Sequence, residues 1–438
     1  MSVEAVWRIE SPKLVAALTR IVRDIGVAED LAQDALVAAL EQWAESGIPR
    51  NAGAWLMAAA KHRAIDYFRR NKRLERKHDE IGHDLEAIQL AVPDFDAALD
   101  DDVGDDLLRL MFTACHPVLP KEARVALTLK LLGGLSTEEI ARAFVVPDAT
   151  IAQRIVRAKR TIAAEAVPYD VPRGAGRAAR LASVLEAIYL IFNEGYAATA
   201  GDHWMRPELC KDAMRLGRVL AGLMPEEAEV HGLVALMELQ ASRHPARTGP
   251  SGEPVLLLDQ NRARWDHVLI RHGLAALDRA EALAPPTGLP RQSADGPTAG
   301  SYVVQAQIAA CHARARTAEQ TDWPRIAALY ARLMQLMPSP IVELNRGVAL
   351  GMALGPAVGL EVVDALKKEK ALSEYHLLPS VRGDLLGKLG RYDEAARECD
   401  RAAKLTKNAR ERELLQARAA RFRASARVEA DLRPEGAT

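Results

Sequence analysis

An all-α fold follows from three features of the sequence. Apolar residues recur at helical spacing in nearly every segment, strand-like alternation of β-branched residues is absent, and turn-forming clusters separate the periodic stretches. A chain of 438 residues is too long for one core, and roughly 150 residues per domain suggests two or three.

Residues 1–77 hold about three helices, with a break at Ser46-Gly47-Ile48-Pro49. In the stretch Ala28 to Trp43, Leu31, Ala35, Ala39 and Trp43 can pack while Asp30, Gln33, Asp34 and Glu41 stay polar. The next stretch, Ala54 to Arg73, begins aromatic and apolar and turns basic, with Tyr67 and Phe68 among the charges. The overall formal charge of -1 conceals strong segregation. Lys61 to Lys77 carries eight Lys or Arg against Asp66 and Glu75, whereas Asp79 to Asp106 carries eleven Asp or Glu and no Lys or Arg. Such blocks imply different partners for different segments. Residues 78–106 are too polar to bury a core and read as an acidic linker.

Residues 107–166 carry a helix-turn-helix pattern. Ser136 with Glu139 forms a capping box, and Ile140, Ala141 and Phe144 supply the apolar stripe of a short first helix. Pro147 ends that helix and Asp148 is expected to cap the second. At about 100° per residue, Ile151, Ile155, Ala158 and Ile162 share one face of the second helix. Thr150, Gln153, Arg154, Arg157 and Arg160 share the other, and Lys159 points away from them toward a phosphate or solvent. Arg and Gln suit the major groove because each can make bidentate bonds to a purine edge. The alternative is an amphipathic helix with a solvated basic face.

A linker over 167–179, containing Pro168, Pro172, Gly174 and Gly176, precedes a long helical region over 180–422. Its clearest unit is Arg382 to Leu405, where Gly383, Ala395 and Ala402 let two antiparallel helices approach and Gly390-Arg391-Tyr392 makes the turn. This resembles a tetratricopeptide repeat, and Asn345 to Asp364 is a weaker copy. Asp259, Arg262, Arg264, Trp265 and Asp266 crowd charge around one aromatic. That cluster reads either as an interdomain contact or ligand-binding rim, or as a capped helix start with internal ion pairs. Residues 423–438 read as a disordered tail.

Cys115, Cys210, Cys311 and Cys399 are far apart, so neither a disulfide framework nor a zinc site is indicated, and Cys115-His116 lacks further ligands nearby. No cofactor or metal is expected. Met1 to Glu10 has no secretory pattern and no run approaches a membrane span, so a cytoplasmic protein without membrane partners is expected. Gly-rich phosphate loops, nucleophile elbows and clustered metal ligands are absent from the sequence, which argues against an enzyme.

Taken in order, Ala28 to Trp43, Trp55 to Arg73 and Glu122 to Ile162 resemble regions 2.2, 2.3–2.4 and 4 of the extracytoplasmic-function sigma factors of bacterial RNA polymerase. The C-terminal region, with Leu190 to Tyr196, Leu258 to Asp266 and Tyr375 to Leu378, is similar to the group that carries a fused tetratricopeptide-like domain. The resemblance implies two small helical domains, region 2 over 1–77 and region 4 over 107–166, followed by that large helical domain. It implies core RNA polymerase, through its β′ clamp and β subunits, and promoter DNA as partners. Asp30, Gln33 and Asp34 would then bind the clamp. Asn51 would read a flipped minus-10 base in the loop from Ser46 to Ala52, and Lys61, Arg63, Arg69, Arg70, Lys72 and Arg73 would hold the promoter backbone and its melted strand. Thr150, Gln153, Arg154, Arg157 and Arg160 would face the minus-35 element. The acidic linker would either lie in the polymerase's RNA channel or serve as a spacer. The C-terminal domain would regulate activity through a protein or ligand, the role usually held by a separate anti-sigma factor. A stand-alone helix-turn-helix regulator with a ligand- or protein-binding helical domain is the competing reading, and it leaves Ala28 to Arg73 unexplained.

Overall fold

The computed structural model describes residues 2–79, 103–174, 176–198, 204–250, 252–284 and 300–432. Among them all regular elements are helical, apart from one isolated antiparallel bridge between Thr248 and Pro254. The chain forms two compact units, Met1–Leu190 and Ile191–Thr438.

The first unit opens with α1 (Val3–Val22), α2 (Ile25–Ser46) and α3 (Ala52–Asp79). Ser2 caps α1 by accepting from the Ala5 N–H at 3.2 Å, and Asp24 caps α2 by accepting from Val27 at 2.9 Å. Between them Arg23 takes a left-handed φ of 55° to reverse the chain. Ala28, Ala32, Ala35 and Ala39 form a fully buried small-residue stripe on α2, which lets it pack closely on α1 and α3. Trp43 of α2 meets Trp55 of α3 edge-on with ring centroids 5.1 Å apart. The expected acidic linker falls largely outside the described residues.

Helices α4 (Val103–Ala114), α5 (Lys121–Leu131), α6 (Thr137–Phe144) and α7 (Asp148–Ala164) follow, built around Leu110, Met111, Phe112, Leu127 and Leu129. Helix α8 (Gly176–Tyr196) begins inside the stretch that the sequence marks as a linker, and its residues through Leu190 belong to the first unit. Polar contacts account for this. Ser183 donates to the Cys115 carbonyl at 2.5 Å, and the buried Arg124 bonds Ser183 and pairs with Glu186 at 3.0 Å.

The second unit continues through α9 (Pro207–Leu223), α10 (Ala228–Ala241), α11 (His267–Leu283), α12 (Ser301–Arg314), α13 (Trp323–Leu336), α14 (Pro340–Leu354), α15 (Pro356–Ala365), α16 (Leu377–Lys388), α17 (Tyr392–Leu405) and α18 (Ala409–Leu432). From α9 onward each helix packs on the next, as in a helical-hairpin solenoid. The α16–α17 pair coincides with the repeat-like stretch Arg382 to Leu405. A Cβ on Gly383 would lie 3.1 Å from the Ala395 carbonyl oxygen, Ala395 and Ala402 are fully buried, and Gly390 turns the chain at φ 77°. Arg382 ties this hairpin to the preceding one, with Asp364 at 2.7 Å and Glu398 at 2.8 Å. The sequence reading of 423–438 as a tail is corrected over 423–432, which continue α18. Leu415 and Ala419, earlier in the helix, are buried and Phe422 packs on the α16 core, an apolar stripe that anchors the helix before residue 423.

Candidate nucleic-acid interface

The helix-turn-helix is assembled from α6 and α7. Ser136 accepts from the Glu139 N–H at 3.1 Å while the Glu139 carboxylate accepts from the Ser136 N–H at 2.8 Å, so both halves of the capping box are present. Val145 ends α6 in the left-handed region at φ 53°. The cap of α7 differs from expectation. Pro147 occupies the cap position and Asp148 becomes the first helical residue, placing its carboxylate in the first turn without a side-chain cap bond. Negative charge there still favours the helix dipole.

Ile151, Ile155, Ala158 and Ile162 are buried, and they seat α7 against α5 and α6. On the opposite face Gln153, Arg157 and Arg160 are exposed, and Thr150 and Arg154 half-buried. None of the three arginines has an ion pair among the described residues, so their charge is available to an anionic surface. Arg142 on α6, exposed and likewise unpaired, adds to this positive margin; as a single charge on a short helix it is hard to single out in the sequence.

Lys159 is not free. It pairs with Glu29 of α2, whose carboxylate also has Lys130 of α5 at 3.5 Å. Glu29 is 6% exposed, a buried carboxylate held between two lysines. The expectation that Lys159 reaches a phosphate or solvent is therefore corrected. Two further links join α1 to the later helices: Arg8 with Glu139, and Arg20 with Asp106 at 2.8 Å. The Tyr169 hydroxyl adjoins the second link, at 2.9 Å from the Ala16 carbonyl and 3.0 Å from that of Asp106.

On α2, Asp30, Gln33 and Asp34 are exposed, and Gln33 donates to Glu29 at 3.0 Å. Val37 and Leu40 continue the same face at 54% and 52% exposure. The sequence reading passed over these two because a helical apolar residue is usually core. Asn51 caps α3: its Oδ1 accepts from the Ala54 N–H at 3.1 Å and its carbonyl from Trp55 at 3.2 Å. Arg63, Arg69 and Arg70 are exposed along α3, Arg69 lying 3.9 Å from Asp66, while Lys61 is half-buried. The side chains of Lys72 and Arg73 lie outside the described residues.

The charged cluster about Trp265 splits. Arg262 and Trp265 are buried, with the guanidinium 5.0 Å from the ring centroid, whereas Asp259 and Arg264 are exposed. Asp266 caps α11 through the Val268 and Leu269 N–H groups, and no ion pair forms among Asp259, Arg262 and Arg264. The four cysteines are buried and free. No described helix is long and apolar enough to cross a membrane.

Comparison with known proteins places these surfaces in matched segments. Residues 7–74 match the family model described as sigma-70 region 2, and residues 109–162 match that of sigma-70 region 4. Residues 180–281 match a family of unknown function, DUF6596. The chain is 41% identical over 402 residues to an uncharacterized protein (R00370) of Rhizobium meliloti (strain 1021), covering 91% of each. It is 31% identical over 110 residues to the ECF RNA polymerase sigma-E factor of Haemophilus influenzae, covering 25% of this chain and 58% of that protein.

Proposed function

We infer that this chain, which belongs to the extracytoplasmic-function group of the sigma-70 family and carries an additional helical domain behind regions 2 and 4, binds core RNA polymerase and directs it to promoters by contacting both the minus-10 and minus-35 elements. The observation that carries this reading is the pairing, in one compact unit, of two basic helix faces with the acidic and apolar face of α2. A sigma factor performs no bond chemistry of its own; it positions another enzyme on DNA.

Each surface has a physical task. Asp30, Gln33 and Asp34 offer polar contacts to the β′ clamp, and Val37 and Leu40 supply apolar area that water leaves on binding. The face of α7 enters the major groove of the minus-35 element, where Gln153, Arg154 and Arg157 can bond base edges while Arg160 and Arg142 meet phosphates. Along α3, Arg63, Arg69 and Arg70 line the path of the opened minus-10 strand, with Lys61, Lys72 and Arg73 assigned there by position. Strand opening costs stacking energy, which capture of the single strand offsets. Because Asn51 Oδ1 is engaged in the cap of α3, a base would be read through the amide nitrogen.

The second unit regulates this activity. A chain ending after Leu190 keeps the Ser183 and Glu186 contacts to Arg124 and so serves as the minimal form for comparing transcription with the full chain. Core binding tests the reading directly. Replacing Asp30 and Asp34 together by Ala should weaken association with core polymerase at least tenfold without lowering the melting temperature, since both side chains are exposed. Unchanged association would remove the clamp assignment.

A further inference from the structure

The second unit contains a group of cations that promoter recognition does not use. Arg243, Arg247 and Arg262 stand where the chain leaves α10 and approaches α11, through short 3-10 turns at His244–Ala246 and Arg262–Arg264 that pack on one another. Arg247 and Arg262 are only 7% and 8% exposed. None of the three has a carboxylate ion pair among the described residues.

Two of them are partly compensated. The Arg247 guanidinium lies 3.6 Å from the Tyr196 ring centroid and 4.4 Å from that of Trp204, and donates to the Tyr196 carbonyl at 2.5 Å. Arg262 donates to the carbonyls of His312 and Ala315, both at 2.8 Å, and to the Thr321 hydroxyl at 2.9 Å. Tyr196 ends α8 and His312 lies in the last turn of α12, so each guanidinium sits on the negative end of a helix dipole.

Arg243 has no such arrangement. Its guanidinium lies 5.6 Å from the Tyr196 ring centroid and has no hydrogen-bond partner among the described residues, the residue is half-buried, and Nε is sealed from solvent. Arg262 Nε and Trp265 Nε1 are buried donors left in the same condition. Among acidic side chains, the field of Glu411 reaches Arg247 and that of Glu319 reaches Arg262. Glu411 accepts from the Thr406 hydroxyl at 2.8 Å and lies 3.2 Å from His376 Nε2, and Glu319 is fully exposed. Burial first, and then the neighbouring arginines, push His244 down to about 4 and His312 to about 3, so neither adds charge near neutrality.

Each helix end supplies about half a negative charge, less than the charge of the guanidinium it faces, and Arg243 faces no helix end, so the cluster keeps a positive excess around Arg243. Buried charge without a partner is costly, and a ligand that supplies the missing charge removes that cost. We propose that Arg243, backed by Arg247 and Arg262, forms a binding site for a phosphate-bearing small molecule. A phosphate monoester carries about -1.5 to -2 at neutral pH, enough to offset more than one guanidinium, and its oxygens accept the paired donors of a guanidinium fork.

The inference deepens the regulatory role given to the second unit, and its consequence for transcription rests on that role. Binding itself is measured without polymerase, so the two can fail separately. Isothermal titration of the full chain with inorganic phosphate, against chloride at equal ionic strength, should give saturable binding at one site, and phosphate should raise the melting temperature. Arg243→Gln should weaken that binding at least tenfold, while its melting temperature in chloride buffer stays equal or rises because an unpartnered cation has gone. A nucleoside monophosphate titrated in parallel distinguishes the sources: tighter binding assigns a phosphate monoester, equal binding free phosphate, and either supports the site. Absence of saturable binding to both probes, undiminished affinity in Arg243→Gln, or a lower melting temperature of that variant in chloride would overturn the proposal.

Discussion

Arg157 and Lys159 are two positions apart on α7 and have opposite fates. Arg157 is exposed and unpaired, whereas Lys159 neutralises a buried carboxylate. Arg157→Ala should therefore weaken promoter binding, either at one minus-35 position by about 1 to 3 kcal/mol if it reads a base, or across all sequences with the salt slope reduced by about one if it meets a phosphate. Lys159→Met should instead cost about 1 to 3 kcal/mol of folding stability, because it strips a charge partner from Glu29, and should leave the salt slope unchanged. Urea denaturation and binding titrations at several salt concentrations separate the two; a loss of DNA affinity in Lys159→Met without loss of stability would return that lysine to the DNA face. Two histidines add a pH dependence. With His244 lowered to about 4 and His312 to about 3 from an ordinary 6.5, the unfolded chain binds protons that the folded one refuses. Stability should thus fall as pH drops below about 6.5 and continue falling to about 4, on the order of 1 kcal/mol per pH unit for each histidine. Melting curves from pH 7 to pH 5 check this, and His244→Gln should flatten part of the slope.

Among elements, the local ones were readable in the sequence and the long-range ones were not. Ser136 and Glu139 specify the start of α6 because both partners of the box lie within four residues, and the α16–α17 hairpin is announced by Gly383, Ala395 and Ala402. Beyond residue 422 the sequence reads as a tail because no described side chain there is buried and no apolar period marks it, yet helix α18 runs on to Leu432. Asp148 was misplaced by a single residue, since Pro147 at the cap position has no side-chain acceptor to mark it. A tight crossing gives the sharpest test at this scale. Gly359 of α15 faces Gly351 and Gly347 of α14, and a Cβ there would lie 2.7 Å from the Gly351 Cα and 2.8 Å from the Gly347 carbonyl oxygen. Backbone cannot move aside as a flexible side chain can, so Gly359→Ala should destabilise the second unit by about 1 to 3 kcal/mol despite the higher helix propensity of Ala. Denaturation followed by circular dichroism would show it; a stabilised variant would mean the two helices are further apart.

At the scale of the whole molecule, the order of segments carried the functional reading: an acidic-apolar helix, a basic helix and a helix-turn-helix, followed by a long helical region. The ion pairs that hold the first unit together were not legible. Glu29 with Lys130 and Lys159, and Arg8 with Glu139, join residues a hundred or more positions apart, and no local pattern marks such partners. They also bear on how the protein works. Glu29 adjoins Asp30 on α2 and pairs with Lys159 on α7, so the surface assigned to polymerase and the helix assigned to DNA are linked through one buried carboxylate. The central claim is that this chain is a promoter-specificity subunit, and transcription reconstituted from purified components tests it most directly. Full chain added to core RNA polymerase should start transcripts at discrete sites on genomic templates, while the chain alone binds the same DNA weakly; tight sequence-specific binding by the chain alone, with no transcripts initiated in the presence of core enzyme, would contradict it.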